Sequence, residues 1–342
     1  MDYTLSRKET IVIKKLAFPG LYPVAELSGV FKDGSISASI SRTIKTQAQF
    51  TYIGDDLSDG DFIQISVILD NGYEQEEIVL ATLRAYYTGK TKNEKNFTCY
   101  SLAKILDSGR YHQPFSVAES KDPFDYVEQI LSTVKLKTAY RPTEKNTIRV
   151  SKSFLPEDYS KLDIINELLD NAGYLALDTN EYGLVIFRET TSTPKYSSIV
   201  FSEGEASIVR PSTQEEHDWS EVANVVIVTC ENADDEVLRA IAINDSPTDE
   251  TSTMFRGEVV RVESMSDADS QQVVEDKAKA LLAEEQSKLT AVTFEHAYRP
   301  IHLFDHVSID LEGVSGVYTV QSYEISLTPG LITKTRVRRF EL

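Results

Sequence analysis

The sequence predicts an α+β fold, mainly β, in which two β-barrel-like halves flank a small α/β insert. Three observations carry this. Short runs rich in Ile, Val, Phe, Tyr and Thr, separated by turn residues, fill residues 1–100. Apolar residues at helical spacing take over between Asp122 and Asn171. Beyond a linker-like Thr190–Pro194, strand-like runs resume, interrupted by one long helical stretch. The expected division is 1–110, 111–192 and 193–342.

In the first half the strand candidates are Ile11–Ile13, Ile36–Ile40, Gln49–Ile53, Phe62–Leu69, Glu77–Tyr87 and Asn96–Tyr100. Asp33-Gly34, Asp59-Gly60-Asp61, Asp70-Asn71-Gly72 and Gly89–Asn93 punctuate them. Asn71-Gly72 is a strong hairpin signal, because both turn positions favour positive φ. Closely spaced strands with such turns suggest a small barrel or sandwich.

The insert opens with a short helical stretch at Ser101–Leu106. Asp122-Pro123 then starts a clearer helix: Asp caps, and Pro suits the first helical position. Phe124, Val127, Ile130, Leu131 and Val134 follow at helical spacing. A further helix is expected over Tyr159–Asn171, with Leu162, Ile165, Leu168 and Leu169 on one side and Gly173 ending it. Tyr174–Leu177 and Leu184–Phe187 then form a hairpin.

In the last third, strands are expected at Ser198–Phe201, Ala223–Cys230, Val237–Ile243, Thr290–Phe294, His306–Leu311, Gly316–Ile325 and Thr333–Phe340. The long helix spans about 266–289. Ser266, Asp267 and Asp269 suit its positive end, and Val273, Val274, Ala278, Leu281 and Leu282 make its apolar stripe.

The 342 residues carry a net charge of −19, unevenly spread. Residues 196–342 hold 27 acidic against 12 basic side chains, so the excess belongs to the last third. Such a field repels phosphate backbones and argues against tight nucleic-acid binding. Cys99 and Cys230 each sit in an apolar strand-like run and read as two buried free thiols. Met1–Lys15 lacks the apolar core of a signal peptide, and no apolar run reaches membrane-spanning length, so stable membrane insertion is not expected.

His296, His302, Asp305 and His306 form the richest group of metal-type ligands. They lie between two strand candidates, not on a helix carrying HExxH, and read as a loop with scattered histidines. Asp55-Asp56, Asp234-Asp235, Glu215-Glu216 and Glu284-Glu285 are adjacent carboxylates, read as solvated faces rather than a pair across a cleft. Neither GxSxG, Walker A nor GxGxxG after a strand is present. No catalytic, cofactor-binding or metal residue is therefore assigned. Period-two spacing puts Lys334, Arg336 and Arg338, near Arg339, on one strand face, either an intersubunit salt-bridge strip or a solvated face. Trp219, beside His217-Asp218, reads as a partly buried residue near a seam or an exposed anchor.

Four stretches carry a family resemblance: Ser35–Ile53; KDPFDYVEQIL at Lys121–Leu131 with Ile165–Glu189, where a helix leads to a hairpin; EVANVVIV at Glu221–Val228; and the closing Phe304–Gly330. Their order resembles the tail hub proteins of phages and phage-like contractile particles, including the T-even baseplate hub and the upper part of the type VI secretion spike. The resemblance implies a structural subunit without enzymatic activity or cofactor. It implies a homotrimer whose paired halves make a six-fold-like ring. That ring would meet the tail tube or distal tail protein on one side and a spike or tail-tip protein on the other. The implied location is the virion tail, after synthesis in a host cytoplasm. An acidic lining from the last third would keep DNA from sticking in the channel. Two other readings are a receptor- or cell-wall-glycan-binding tail protein and a cell-wall hydrolase using the 296–306 group or a carboxyl pair.

Overall fold

The computed structural model describes residues 8–142, 147–189, 199–204, 207–210, 214–216, 222–231, 237–265, 268, 270–287, 291–311 and 313–339. The side chains of 214–216, 231, 287 and 339 fall outside this description. Strand accounts for 46% of the described residues and helix for 16%, so the protein is α+β with β dominant.

The first seven strands are β1 (Lys8–Ala17), β2 (Tyr22–Glu26), β3 (Val30–Ser39), β4 (Thr46–Ile53), β5 (Phe62–Asp70), β6 (Gln75–Thr91) and β7 (Glu94–Ser101). Next come α1 (Ala103–Asp107), β8 (Phe115–Val117), α2 (Pro123–Thr133), β9 (Lys152–Phe154), α3 (Lys161–Asn171), β10 (Asp178–Thr179) and β11 (Val185–Ile186). The remainder holds β12 (Val200–Ser202), β13 (Gln214–Glu216), β14 (Val225–Glu231), β15 (Val237–Ile243), α4 (Thr253–Arg256) and β16 (Val260–Met265). It closes with α5 (Gln271–Ser287), β17 (Ala291–His296), β18 (His306–Leu311), β19 (Val314–Ser326) and β20 (Thr333–Arg339).

One 13-stranded sheet runs through both ends of the chain in the order β13-β17-β20-β19-β3-β4-β7-β6-β5-β1-β2, with β12 and β18 joined to it beside β19. Among the described residues this order has two ends and does not close into a circle. The expected halves meet in the sheet itself: β19 pairs through Val314–Thr319 with β18 and through Ser322–Ser326 with Ser35–Ser39 of β3. A 13-residue strand is long enough to serve both neighbours, which is how the first and last parts of the chain become one hydrogen-bonded structure.

Four apolar cores lie along this frame. The first half packs Ile36, Phe50, Ile63, Ile65, Leu83 and Phe97 together with Tyr298 and Leu331 from the far end of the sequence. The α/β segment has its own core of Leu106, Phe124, Val127, Ile130, Ile165 and Leu168. Phe201, Phe294, Val307, Val320 and Val337 form a third core, and α5 packs on β14 and β15 to form a fourth.

Local chemistry explains several boundaries. The Asp122 carboxylate accepts from Phe124 N at 2.8 Å, capping α2 with Pro123 at its first position. The expected start at Tyr159 moves to Lys161, because Ser160 and Asp163 form a reciprocal capping box. Gly173 then takes φ 81° after α3, as expected. The Asn71-Gly72 hairpin exists, but only Gly72 has positive φ. Its strands close at Asp70 and Gln75, and the Asn71 side chain accepts from Tyr73 N and Glu74 N. A side-chain turn therefore replaces a second left-handed residue.

Sequence pattern missed β2, β8, β9, β13 and α4, all short, and also β16. The Val-Arg-Val-Glu-Ser-Met alternation of β16 pairs parallel with β14. Ser266, Asp267, Asp269 and the 190–194 linker lie outside the described residues. Cys99 and Cys230 are both buried free thiols. No helix among the described residues is long and apolar enough to cross a membrane.

Candidate functional site

The 296–306 histidines do not converge, and no metal-type group of three ligands occurs among the described residues. His296 ends β17 beside the third core, its ring tilted against Phe201 and Phe294. Its Nε2 meets Thr335 Oγ1 at 2.9 Å, and burial lowers its pKa to about 4, so it is neutral at pH 7. His306 bonds Thr319 Oγ1 across the β18–β19 pair. His302 lies between two carboxylates.

That environment is a seam where three parts of the chain meet: the first-half sheet, the β10–β11 hairpin of the insert, and the Tyr298–Asp305 loop. His302 Nε2 lies 3.4 Å from Glu181 in the hairpin, and its Nδ1 lies 3.4 Å from Asp305. Hydrogen bonds donated to the Asp305 and Glu181 carboxylates outweigh burial and raise its pKa to about 9. The same His302 contact holds Glu181 below the usual carboxylate range. The Glu181 carbonyl accepts from Thr82 Oγ1 of β6 at 2.8 Å, and Arg188 Nη1 donates to the carbonyl of Leu303. One hairpin is thus tied on one side to the first-half sheet and on the other to the closing loop.

Beneath these ties lies a cavity of about 210 Å³, walled in part by Ser101, Asp178, Arg188, Tyr298 and Tyr323. Asp178 and Lys45 are nearly inaccessible. Burial raises the Asp178 pKa and lowers that of Lys45, while each opposes the shift of the other through its charge. Burial also raises the Tyr323 phenol pKa, with Asp178 adding to the effect. Among the described residues Ser101 Oγ and Arg188 Nε have no hydrogen-bond partner, so a cavity of this size and polarity suits a few water molecules. The acids sit beside cations and polar donors, an arrangement that fixes three segments against one another.

The adjacent carboxylates divide. Asp55 stays in solvent beside Lys95, as a solvated face requires. Asp56 instead accepts from Tyr52 and Ser28, and these bonds overcome its burial to hold it at about 2. Glu285 departs from the solvated reading: it is 2% exposed, accepts from Arg261 at 2.8 Å and takes the Ala223 amide at 3.2 Å. It sits on the buried side of α5, where adjacency to Glu284 in sequence says nothing about orientation. Lys334, Arg336 and Arg338 do share a face of β20, opposite buried Thr333, Thr335 and Val337. Their register sets Lys334 between Glu295 and Glu324. His217, Asp218, Trp219, Asp234 and Asp235, and the side chains of Glu215, Glu216 and Arg339, lie outside the described residues.

Sequence reasoning found His302 and its neighbour Asp305 but missed Glu181 and the rest of the seam. Lys45, the 178–188 hairpin with Asp178, Glu181 and Arg188, and Tyr323 come from three separated segments, and no local pattern joins them.

Comparison with known proteins places this geometry in a fold class. No family model and no curated protein matches the sequence. Solved structures do match over nearly the whole chain. A tail protein from Neisseria meningitidis MC58 superposes with TM-score 0.67 at 12% identity, covering 97% of this chain and 96% of that one. The 43 kDa tail protein of prophage MuSo2 from Shewanella oneidensis gives TM-score 0.67 at 10% identity, covering 97% and 98%. The E. coli c3393 protein, a type VI secretion component similar to T4 bacteriophage tail proteins gp27 and gp5, gives TM-score 0.52 at 8% identity, covering 98% and 77%. The chain therefore has the fold of phage and prophage tail proteins. The resemblance read from Ser35–Ile53, the insert and the closing hairpin was to proteins of this fold.

Proposed function

We propose that this chain is a structural subunit of a phage- or prophage-type tail, a hub that forms a ring and joins the tail tube to the baseplate or tip. The observation that carries the reading is the correspondence with tail proteins over 97% of this chain and nearly all of theirs. A sheet continuous through β3 and β19 gives such a subunit a rigid wall, and the seam locks the insert onto it. In this reading the divisions at 110 and 192 separate two barrel-like halves from the insert. Three copies form the ring, and its two sides meet tube and spike or tip proteins. The work done is mechanical, with no reaction assigned to any residue.

The test is location. Antibodies against this chain, applied to particles released from a producing host, should decorate one end of the tail. Labelling of capsids, of sheath along its length, or of no particle at all would overturn the reading.

A further inference from the structure

The Asn71-Gly72 turn at the tip of the β5–β6 hairpin gathers groups that a turn alone does not require. It is the one place in the sequence where Gly follows Asn. Asparagine is chemically labile. Glycine has no side chain to shield its amide nitrogen, so that nitrogen can reach the carboxamide carbon of the residue before it. The fold adds three hydrogen bonds at this point. The Gly72 N–H donates to Asp70 Oδ1 at 2.8 Å. The N–H groups of Tyr73 and Glu74 donate to Asn71 Oδ1 at 3.0 and 2.8 Å. A carboxylate therefore sits on the proton of the attacking nitrogen, within the reach a general base needs. Two backbone donors sit on the oxygen that becomes negative when the carbon is attacked, at the distance an oxyanion site needs. Strand pairing holds the frame: Asp70 pairs with Gln75, and Asn71 N donates to the Glu74 carbonyl at 3.2 Å. The site is open to water. Gly72 is exposed, a Cβ on it would meet nothing within 4 Å, and Tyr73 beside it is 97% exposed.

We propose that this turn modifies itself: Asn71 is deamidated through a cyclic imide, with Asp70 as the base and the Tyr73 and Glu74 amides as the oxyanion site. The Gly72 nitrogen bonds to Asn71 Cγ as its proton passes to Asp70. The Cγ–Nδ2 bond then breaks, and Asp70 returns the proton to the departing nitrogen, which leaves as ammonia. Water opens the imide at either carbonyl and leaves aspartate or isoaspartate at position 71. The sum is one water consumed and one ammonia released, with no other reactant. Either product places a third carboxylate in a turn that already holds Asp70 and Glu74. Isoaspartate also lengthens the main chain by one methylene, which undoes the turn between the paired Asp70 and Gln75. The chemistry is independent of what the chain assembles with.

The experiment incubates the full chain at neutral pH and follows the peptide containing Asn71 by mass spectrometry, with released ammonia measured in parallel. The comparison is the same chain unfolded in guanidinium chloride, where the sequence remains and the hydrogen bonds do not. The folded chain should react faster and yield both aspartate and isoaspartate. Asp70→Ser keeps a hydroxyl acceptor for the Gly72 amide and removes the base. With a wild-type circular dichroism spectrum it should react at least about tenfold slower, as expected on loss of a positioned base. If that variant loses the spectrum, the folded-against-unfolded comparison of the wild type decides alone. A folded chain that reacts no faster than the unfolded one would show that the hydrogen bonds lock the turn, and would overturn the proposal. Aspartate as sole product would overturn the imide route, and an Asp70→Ser variant at the wild-type rate would overturn Asp70 as the base.

Discussion

Two surfaces of this molecule invite comparison: the seam around His302 and the outer face of β14–β16. The seam is polar and largely buried; the sheet face is apolar and exposed. Polar contacts are worth little where water competes, but inside they fix register, because each unmet partner is costly. Thr82, Glu181, His302, Arg188 and Leu303 therefore define one arrangement of sheet, hairpin and loop. Apolar contacts are non-directional and follow area. The comparison teaches a division of labour: polar ties hold the subunit to itself, while the apolar residues Ile241, Ile243, Val260 and Val262 stay exposed.

The two regions should respond differently to substitution. The largest loss is expected in the insert core that the seam holds in place. Phe124→Ala removes a fully buried ring touching Tyr174 and Phe187 and should cost about 3–5 kcal/mol in denaturant unfolding. Beneath the apolar face, Glu285→Ala strips the buried partner from Arg261 and should cost about 2 kcal/mol, less than a fully buried pair because Arg261 keeps some solvent. Ser160→Ala opens the capping box of α3 and should cost about 1 kcal/mol.

His302→Gln should cost under about 1 kcal/mol, since the ring is partly solvated and its pairs are screened. Its signature is the pH profile. The folded-state pKa, about 9, lies above the ordinary 6.5, so the imidazolium contribution is complete below about pH 6.5 and disappears as pH rises through 9. The depressed Glu181 adds a contribution that is lost as pH falls below its ordinary range. Wild type and variant should therefore converge at high pH, and parallel profiles would remove the latch from the account. Smallest of all, Ile241→Thr should leave stability within about 0.5 kcal/mol. A large loss there would show the outer face already packed within the subunit.

How far each region could be read in advance follows from the range of its interactions. Strands β15 and β18 were legible to the residue, because Val237–Ile243 and His306–Leu311 are apolar-rich runs bounded by turn residues. The Asp122-Pro123 start of α2 was legible because a cap is a local device. β16 was missed although its alternation is visible: its partner is the parallel strand β14, more than thirty residues earlier, with no tight turn between them. The long reach of β19 to both β18 and β3 turned two expected halves into one sheet, and pairing across nearly three hundred residues leaves no local mark. The seam was hidden for the same reason. His302 stood out as a histidine, but Lys45 and Asp178 gain their meaning only by meeting in the interior. The acidic last third was plain from composition, whereas the burial of Glu285 within it was not.

The account stands on the claim that the chain builds a wall that repeats around an axis. Class averages of the purified chain by negative-stain electron microscopy, at concentrations where it associates, test this most directly. The account predicts an annulus with three-fold symmetry and an open centre. Compact dimers, open filaments or single subunits at every concentration would contradict it.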